Sequence, residues 1–498
     1  MPHMDEVGQL LARAGSNVVT ATAYDTAWLA ALASDAHAPS PRPLFPESLE
    51  WLTTHQHPDG SWGAPWPYYH DRLISTLRAV LSLDAWCGCP ATAARIQRGL
   101  TYIWANAERL AHDPWETVGF ELIFPALLAK AEERHMALPF GAFDQVRERR
   151  REKLARAPMQ WVYNRTTPLP VTLEALGPEF RADRLNCLQE DIGCVGMSPS
   201  STAFLLQQAG RPDGAYAYLV RAVQEGPGDG GAPAYFPLET FERSWMLYQL
   251  QQAVPDLYAR FLEETTPLLD ALYRTRQPHG WTASVHSSVK EADTTAVCFA
   301  VLSQAGYDLD PGLLYQFEES DHFRCYPFEM NASSSVHAHL LSAFRYCPPR
   351  ESAPRVEKAL GFLRRARRPA GYWFDKWHVS PFYATSRVIA AAHAIAPDLT
   401  SPAVEWILHT QWEGGAWGYY APTVEETAYA LLALFAAHDH GARVPLEVLQ
   451  RGADYLLRHF SPISMHYPPL WIHKSLYTPV QAVQGAVFAA AVACEARL

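Results

Sequence analysis

Basic residues are in short supply. Lysine and arginine number 41 against 52 aspartates and glutamates, a formal net charge of −11. A face that binds nucleic acid must neutralise a row of phosphates, so nucleic acid is excluded as a partner. No apolar run reaches the ~20 residues that cross a bilayer. The opening Met1-Pro2-His3-Met4-Asp5-Glu6 lacks the basic region and apolar core of a secretory signal. These absences predict a cytoplasmic protein without stable membrane insertion. The 8 cysteines form no ligand framework, because Cys87-Gly88-Cys89 is too tight for a zinc knuckle and the others are scattered. Reduced, structural thiols are expected. Period-two alternation is rare, and low-complexity segments and long linkers are missing, so neither a sheet-based nor a disordered chain is indicated.

What is present is helical and greasy. With 498 residues the chain is too long for one ordinary core, and 48% of it is hydrophobic. Trp 16, Tyr 23 and Phe 21 supply either a rich core or the lining of a large apolar pocket. Leu73, Ile74, Leu77, Val80 and Leu81 follow helical spacing, as do Phe120, Ile123, Phe124, Leu127 and Leu128. With 39 prolines, long uninterrupted helices are not expected, so many medium helices joined by structured loops are predicted. One loop recurs. Gln56-His57-Pro58-Asp59-Gly60-Ser61-Trp62-Gly63 returns as Gln411-Trp412-Glu413-Gly414-Gly415-Ala416-Trp417-Gly418. Weaker echoes stand at 189–193, 277–281 and 369–373. Recurrence between helix pairs is the mark of a repeat architecture. In such a loop Gly supplies the turn, Trp packs over a helix end, and Gln or Asp can cap helix termini. Most of these tryptophans read as structural, with Trp417 the one expected to face a cavity.

The stretch Lys290-Glu291-Ala292-Asp293-Thr294-Thr295-Ala296 places one aspartate in an apolar helical setting. A carboxylic acid held in a hydrophobic cavity can stay protonated at neutral pH, which suits it to protonate a very weak base such as an alkene. The stretch resembles the Asp-x-Asp-Asp-Thr-Ala box of class II terpene cyclases in its Asp-x-Asp-Thr-Thr variant. Further motifs carry the resemblance nearly end to end: Ala23-Tyr24-Asp25-Thr26-Ala27-Trp28, Ser198-Pro199-Ser200-Ser201-Thr202-Ala203-Phe204, Gly230-Gly231-Ala232-Pro233 with Phe236-Pro237, Gln316-Phe317-Glu318, and Asp375-Lys376-Trp377-His378. In the Asp-Thr-Thr box and the Asp-Lys-Trp-His segment the chain resembles bacterial halimadienyl (tuberculosinyl) diphosphate synthases, and in the other motifs copalyl diphosphate synthases.

The resemblance implies an all-α fold of two α/α-barrels with QW-like repeats. A β domain would span about 1–35 plus 263–498, and an inserted γ domain about 36–262. It implies Asp293 as the general acid, with Glu291 and Thr294 as the neighbours that differ from the usual box. His337 or Ser334 is the expected partner of the acid, a satisfied core histidine being the plainer reading of His337. Trp281, Trp377, Phe382, Tyr383, Trp417, Tyr419, Tyr420 and Tyr477 are the candidates to stabilise carbocations through their ring faces. The substrate would be geranylgeranyl or farnesyl diphosphate and would keep its diphosphate, which agrees with the lack of any Asp-Asp dipeptide. Arg72, Lys376 and Lys474 are the expected headgroup cations, and Glu190 with Asp191 the candidate ligands for Mg²⁺. Plant ent-copalyl enzymes hold a proton-removing water on a His–Asn pair. The matching positions here are Val171 and Ala234, neither of which can do so. A bicyclic cation left intact can undergo hydride and methyl shifts, so a halimane- or clerodane-type product is expected. The alternatives are an unrearranged copalyl skeleton, a drimane from farnesyl diphosphate and, more remotely, a prenyltransferase-like or polyprenyl-binding barrel. A downstream diphosphate-removing enzyme is a possible partner.

Overall fold

The computed structural model describes residues 2–34, 41–156, 159–209, 212–462, 464 and 466–498. Six helices close the larger ring: Glu239–Ala253, Ala292–Gln304, Ser334–Phe344, Pro381–Ala392, Val424–Asp439 and Val480–Arg497, each packed on the next and the last on the first. Outer helices, among them Leu262–Arg274, Pro349–Ala366, Pro397–His409 and Leu446–His459, pack around them. A helix buried on every side cannot carry a polar face, and Val480–Arg497 is accordingly an alanine- and valine-rich run buried from Val480 to Cys494. The smaller ring consists of Ala23–Ala30, Tyr69–Asp84, Phe120–Glu133, the 3-10 segment Leu169–Glu179 and Pro199–Gln208. The only sheet among the described residues is two antiparallel pairs of two-residue strands, Ala21–Thr22 with Ala232–Pro233 and Trp471–Ile472 with Leu476–Tyr477.

Two apolar cores correct the expected domain bounds. Helix Ala23–Ala30 belongs to the smaller core, whereas Met4 to Ala14 and Trp245 to Leu257 belong to the larger one. The γ domain therefore begins near residue 21 rather than 36 and ends near 236 rather than 262. The expected junction at 35/36 lies outside the described residues. The burial of each segment, which decides the matter, depends on partners hundreds of residues away.

The repeat is a small device of hydrogen bonds. In four copies the tryptophan indole donates to a carbonyl of the preceding outer helix: Trp62 to Leu52, Trp281 to Leu272, Trp373 to Leu363 and Trp417 to Ile407. The backbone N–H of each tryptophan donates to a threonine hydroxyl on the following inner helix: Thr76, Thr295, Thr385 and Thr427 respectively. A fifth copy substitutes Val195, whose N–H reaches Thr202. The loop glycine just ahead has positive φ in all five copies. A Cβ at Gly415 would stand 2.4 Å from the Arg451 carbonyl oxygen, so only glycine fits. The glutamines bridge instead of capping helix ends: Gln411 Nε2 donates to Gly415 O and to Val448 O, in the first turn of the next outer helix.

The hairpin 469–478 joins the two barrels. Trp66 donates to Pro469 O, Val118 N–H to His473 O, and Leu476 N–H to Asp71. Lys474 Nζ reaches across to Glu174 and to the hydroxyls of Ser198 and Ser200. Burial pushes Asp25 and Asp71 up to about 6, with Lys474 the largest opposing influence at Asp25. Glu242 lies deeper in effect. Burial pushes it up to about 8 against the N–H of Asn17, which it accepts at 2.7 Å, while its other oxygen is sealed without a partner. A carboxyl whose folded pKa is raised stabilises the fold while protonated. That contribution is lost as pH climbs from the ordinary carboxylate range through about 8. Melting temperature is expected to fall between pH 6 and 9. Glu242→Gln, which mimics the neutral acid, should flatten the decline. An equally steep decline in the Gln variant would refute the assignment to this group.

Candidate active site

Asp293 stands in the first turn of helix Ala292–Gln304, and its side chain keeps about 10% of its surface. Glu291 is the N-cap of that helix. Its Oε1 accepts from the Thr294 N–H at 3.2 Å and the Thr294 hydroxyl at 2.9 Å, and its Oε2 accepts from Ala283 N–H at 3.2 Å. Ser198 and Thr423 cap their helices from the equivalent place, four residues before the repeat's threonine. Thr295 is that threonine, so two of the box's polar residues, Glu291 and Thr295, hold the frame. Burial first, and the neighbouring Asp293 second, push Glu291 up to about 7.

The partner of Asp293 is His339, with Nδ1 at 2.5 Å from Oδ1. The sequence candidates for this role, His337 and Ser334, do not reach the acid; His337 is instead the satisfied core histidine of the plainer reading. His337 Nδ1 faces Ser333 O at 2.6 Å and its Nε2 accepts from Phe323 N–H at 3.0 Å, with the ring stacked on Phe362. Burial pushes His337 down to about 3. Ser334 opens the same helix without a bond to the acid; its neighbour Ser333 is the cap. His339 Nε2 is sealed and unpartnered. A charged ring would bury an unpaired N–H there, whereas a neutral ring protonated on Nδ1 buries only a lone pair. The structure thus favours Nδ1–H donating to Oδ1, which leaves Oδ2 without a hydrogen-bond partner among the described residues. Asp375, the first residue of the Asp-Lys-Trp-His segment, sets the helix of His339: it accepts from Ser335 N–H at 2.6 Å and the Ser333 hydroxyl at 2.8 Å.

Several residues about this pair lie deep in the protein yet keep accessible surface, which marks an internal chamber. Tyr235, Tyr326, Tyr477 and His473 lie deep enough for burial to shift their pKa strongly, yet each retains accessible surface. Phe241 and Trp377 also keep surface there, Phe241 stacked on Trp245 and Trp377 edge-on to Tyr326. The charge of Glu291 reaches Tyr235, Tyr326 and Tyr477, and that of Asp293 reaches Tyr326 and Tyr383. The walls are therefore the acid box on one side and the hairpin 471–477 on the other. Sequence reasoning missed Tyr235, Tyr326, His339 and His473. Tyr235 sat inside a quoted motif, but nothing in the sequence gave the direction of its ring.

Several expected residues stand elsewhere. Trp281 and Trp417 are sealed between inner and outer helices and do not line the chamber. Tyr420 stacks on Trp66 in a separate cluster between the barrels. Tyr383 lies behind the chamber wall, its hydroxyl accepting from Trp245 Nε1 at 3.3 Å. Val171 is half-buried beside Gly196, and Ala234 is sealed. Lys474 is fully buried with its ammonium surrounded by Glu174 and three serine hydroxyls, so no diphosphate can reach it. Arg72 is turned into its own repeat loop, on Asp59 and Ala64 O. Lys376 pairs with Glu329 and Asn331 O, and its ammonium lies 4.8 Å from the Trp377 ring centre. Glu190 accepts from the Ser288 hydroxyl at 2.7 Å, and exposed Asp191 faces His286 at 2.8 Å. No cluster of three or more potential metal ligands occurs among the described residues.

Two α-barrels enclosing a buried aspartate that is hydrogen-bonded to a histidine, at the edge of an aromatic chamber, define a terpene cyclase of the protonation-initiated class. The chain belongs to the class II diterpene cyclase family: it is 35% identical over 508 residues to the type B diterpene cyclase of Mycobacterium tuberculosis, with 98% of each chain covered. It is 32% identical over 384 residues to a (−)-kolavenyl diphosphate synthase of Tripterygium wilfordii, covering 76% of this chain and 46% of that one. Thus it spans about half the length of the plant relatives. Among solved structures it is similar to ent-copalyl diphosphate synthase from Streptomyces platensis (TM-score 0.81, 27% identity, 99% and 100% covered). It is also similar to ent-copalyl diphosphate synthase from Arabidopsis thaliana, solved with an aza-dihydrogeranylgeranyl thiolodiphosphate (TM-score 0.72, 26% identity, 98% and 62% covered). The squalene-hopene cyclase C-terminal domain model matches residues 328–464. No helix among the described residues is long and apolar enough to cross a membrane.

Proposed function

We propose that this enzyme protonates the terminal alkene of geranylgeranyl diphosphate from Asp293 and closes it to a bicyclic, rearranged diterpenyl diphosphate. The observation that carries the proposal is the Asp293–His339 pair set at an aromatic chamber. The hydrogen bond from His339 to Oδ1 stabilises the carboxylate that remains once the Oδ2 proton has left. The carbocation then moves among ring faces, which offer electron density without a nucleophile. Tyr326, edge-on to Trp377, lies within reach of the charges of Glu291 and Asp293, and Tyr235 and Tyr477 within reach of that of Glu291.

Lys376 is the headgroup cation in this reading. Its partner Glu329 is pushed up by burial, so a diphosphate oxygen can displace it at modest cost. The carboxylates at Glu190 and Asp191 form no cage, so they fit only a Mg²⁺ that arrives with the diphosphate, retains its waters and takes Asp191 as one ligand. Such an ion would neutralise headgroup charge.

Rearrangement is supported by the kolavenyl diphosphate synthases among the relatives. Incubation with farnesyl and geranylgeranyl diphosphates, then dephosphorylation and mass spectrometry with NMR, tests this. The expected product is a halimane or clerodane alcohol from the C20 substrate, with no inorganic pyrophosphate released. An unrearranged copalyl or a drimane product would overturn the product assignment, and pyrophosphate release in step with turnover would overturn the mechanism.

A further inference from the structure

We propose that Glu329 is a positioning residue that couples capture of the diphosphate at Lys376 to the setting of the acid pair; this deepens the cyclisation reading above and rests on it. Glu329 stands in the loop between helices Gly312–Tyr315 and Ser334–Phe344. Exposed Phe328 and Met330 flank it, yet its own side chain keeps only 5% of its surface. One oxygen, Oε1, pairs with the Lys376 ammonium, and the other, Oε2, accepts from the Cys325 N–H at 2.6 Å. The carbonyl of Cys325 in turn accepts from the Ala292 N–H at 2.9 Å. Ala292 is the first residue of the helix that presents Asp293, and its N–H is one of the donors a helix start leaves unpaired. Lys376, Glu329, Cys325 and the acid's helix are thus bonded in series.

The other side of Lys376 leads to the partner of the acid. Asp375, its neighbour in the chain, accepts from the Trp377 N–H at 3.1 Å and from Ser335 N–H and the Ser333 hydroxyl at the start of the His339 helix. Asp293 and His339 are therefore both anchored through residues that adjoin Lys376, one by an ion pair and one by a peptide bond. The same loop carries part of the chamber wall. Tyr326 follows Cys325 and lies edge-on to Trp377, and the Lys376 ammonium is 4.8 Å from the centre of that indole.

Electrostatics give this series a direction. Burial raises the pKa of Glu329, and the charge of Lys376 is the largest influence opposing it. The free enzyme keeps the ammonium on Glu329, whereas a diphosphate binds the arrangement in which the ammonium is released, so it selects between two settings of the loop. Deprived of its cation and facing phosphate charge, the Glu329 carboxylate retains the Cys325 N–H and withdraws towards it. The Cys325 segment moves with it, and so do its hold on Ala292 and the ring of Tyr326. Binding energy from the headgroup, remote from the reacting alkene, is in this way expressed as the placement of the proton donor.

The test separates headgroup from hydrocarbon. Wild type and Glu329→Gln are each given geranylgeranyl diphosphate, geranylgeraniol, and geranylgeraniol with inorganic pyrophosphate. In wild type, saturating pyrophosphate should raise kcat on the alcohol by roughly tenfold or more, since misplacing a reacting group by about 1 Å can cost about 100-fold. In Glu329→Gln the alcohol should turn over equally fast with and without pyrophosphate, because the neutral amide holds the Cys325 N–H whether or not the ammonium is occupied. Absence of activation in wild type, or its survival in the Gln variant, would overturn the proposal. So would a variant in which all three rates fall in the same proportion, as they would if Glu329 merely supported its loop. If the variant is insoluble, hydrogen exchange on the wild type decides: pyrophosphate should alter the exchange of the Cys325 and Ala292 amides, and unchanged exchange would overturn the proposal. Failure of the underlying reading would show separately, as a wild-type enzyme that cyclises no prenyl diphosphate, or as Lys376→Ala with the wild-type KM for geranylgeranyl diphosphate.

Discussion

Asp293→Asn should lower turnover by at least about 10³-fold and leave the melting temperature unchanged. The side chain makes one hydrogen bond, to His339 Nδ1, and an amide oxygen in the same place can accept it. Shape and packing are conserved, and only the transferable proton disappears. Glu291, the other carboxyl of the box, is fully engaged as a helix cap and cannot substitute. The measurement is product formation under single-turnover conditions, with circular dichroism on the same sample. In D₂O the wild-type enzyme should place one deuterium in each product molecule. Retained activity in the Asn variant, or a product without deuterium, would mean that the proton comes from elsewhere.

Lys474→Ala should destabilise the protein by about 3–5 kcal/mol, the cost of breaking a buried pair by removing one partner. Lys474 and Glu174 are both at 0% exposure and 2.6 Å apart, one from each barrel. Without the ammonium, Glu174 retains only the hydroxyls of Tyr24 and Ser201, and Asp25 loses the cation that opposes its burial. Replacing both ends by methionine should recover much of the loss, because two apolar side chains of similar volume need no charge partner. Chemical denaturation measures both. A cation that held the substrate would behave differently: the Ala variant would raise KM with stability unchanged, and that outcome would restore Lys474 to the headgroup site.

The place of the candidate acid was legible in the sequence because the box is contiguous and confined to one helix start. Its histidine was not. His337 and His339 lie two residues apart, about 200° around a helix, so only one can face Asp293, and the rotation is set by Asp375 and Ser333 gripping the helix start. The two-barrel architecture could be read from the loop repeats, whereas the domain bounds could not, since helix Glu239–Ala253 closes a ring with Val480–Arg497 at the far end of the chain. Cations were the least readable group. The carboxylate that takes Lys474 out of service is 300 residues away in sequence, and the same spacing problem hides Glu329 from Lys376.

The repeat's threonine has a wider consequence. Asp293 stands two residues ahead of Thr295, and the same address in the other copies is held by Ile74, Ser200, Tyr383 and Glu425, ahead of Thr76, Thr202, Thr385 and Thr427. All five are buried near the starts of inner helices. The atoms that fix the address are a threonine hydroxyl and a loop backbone N–H, from tryptophan in four copies and Val195 in the fifth, and the occupant contributes to neither. A hydrocarbon, a hydroxyl, a phenol and two carboxyls are thus all accommodated by one scaffold. Location and chemistry are specified by separate residues, which allows a carboxyl group to be held deep in a greasy protein without the fold depending on it.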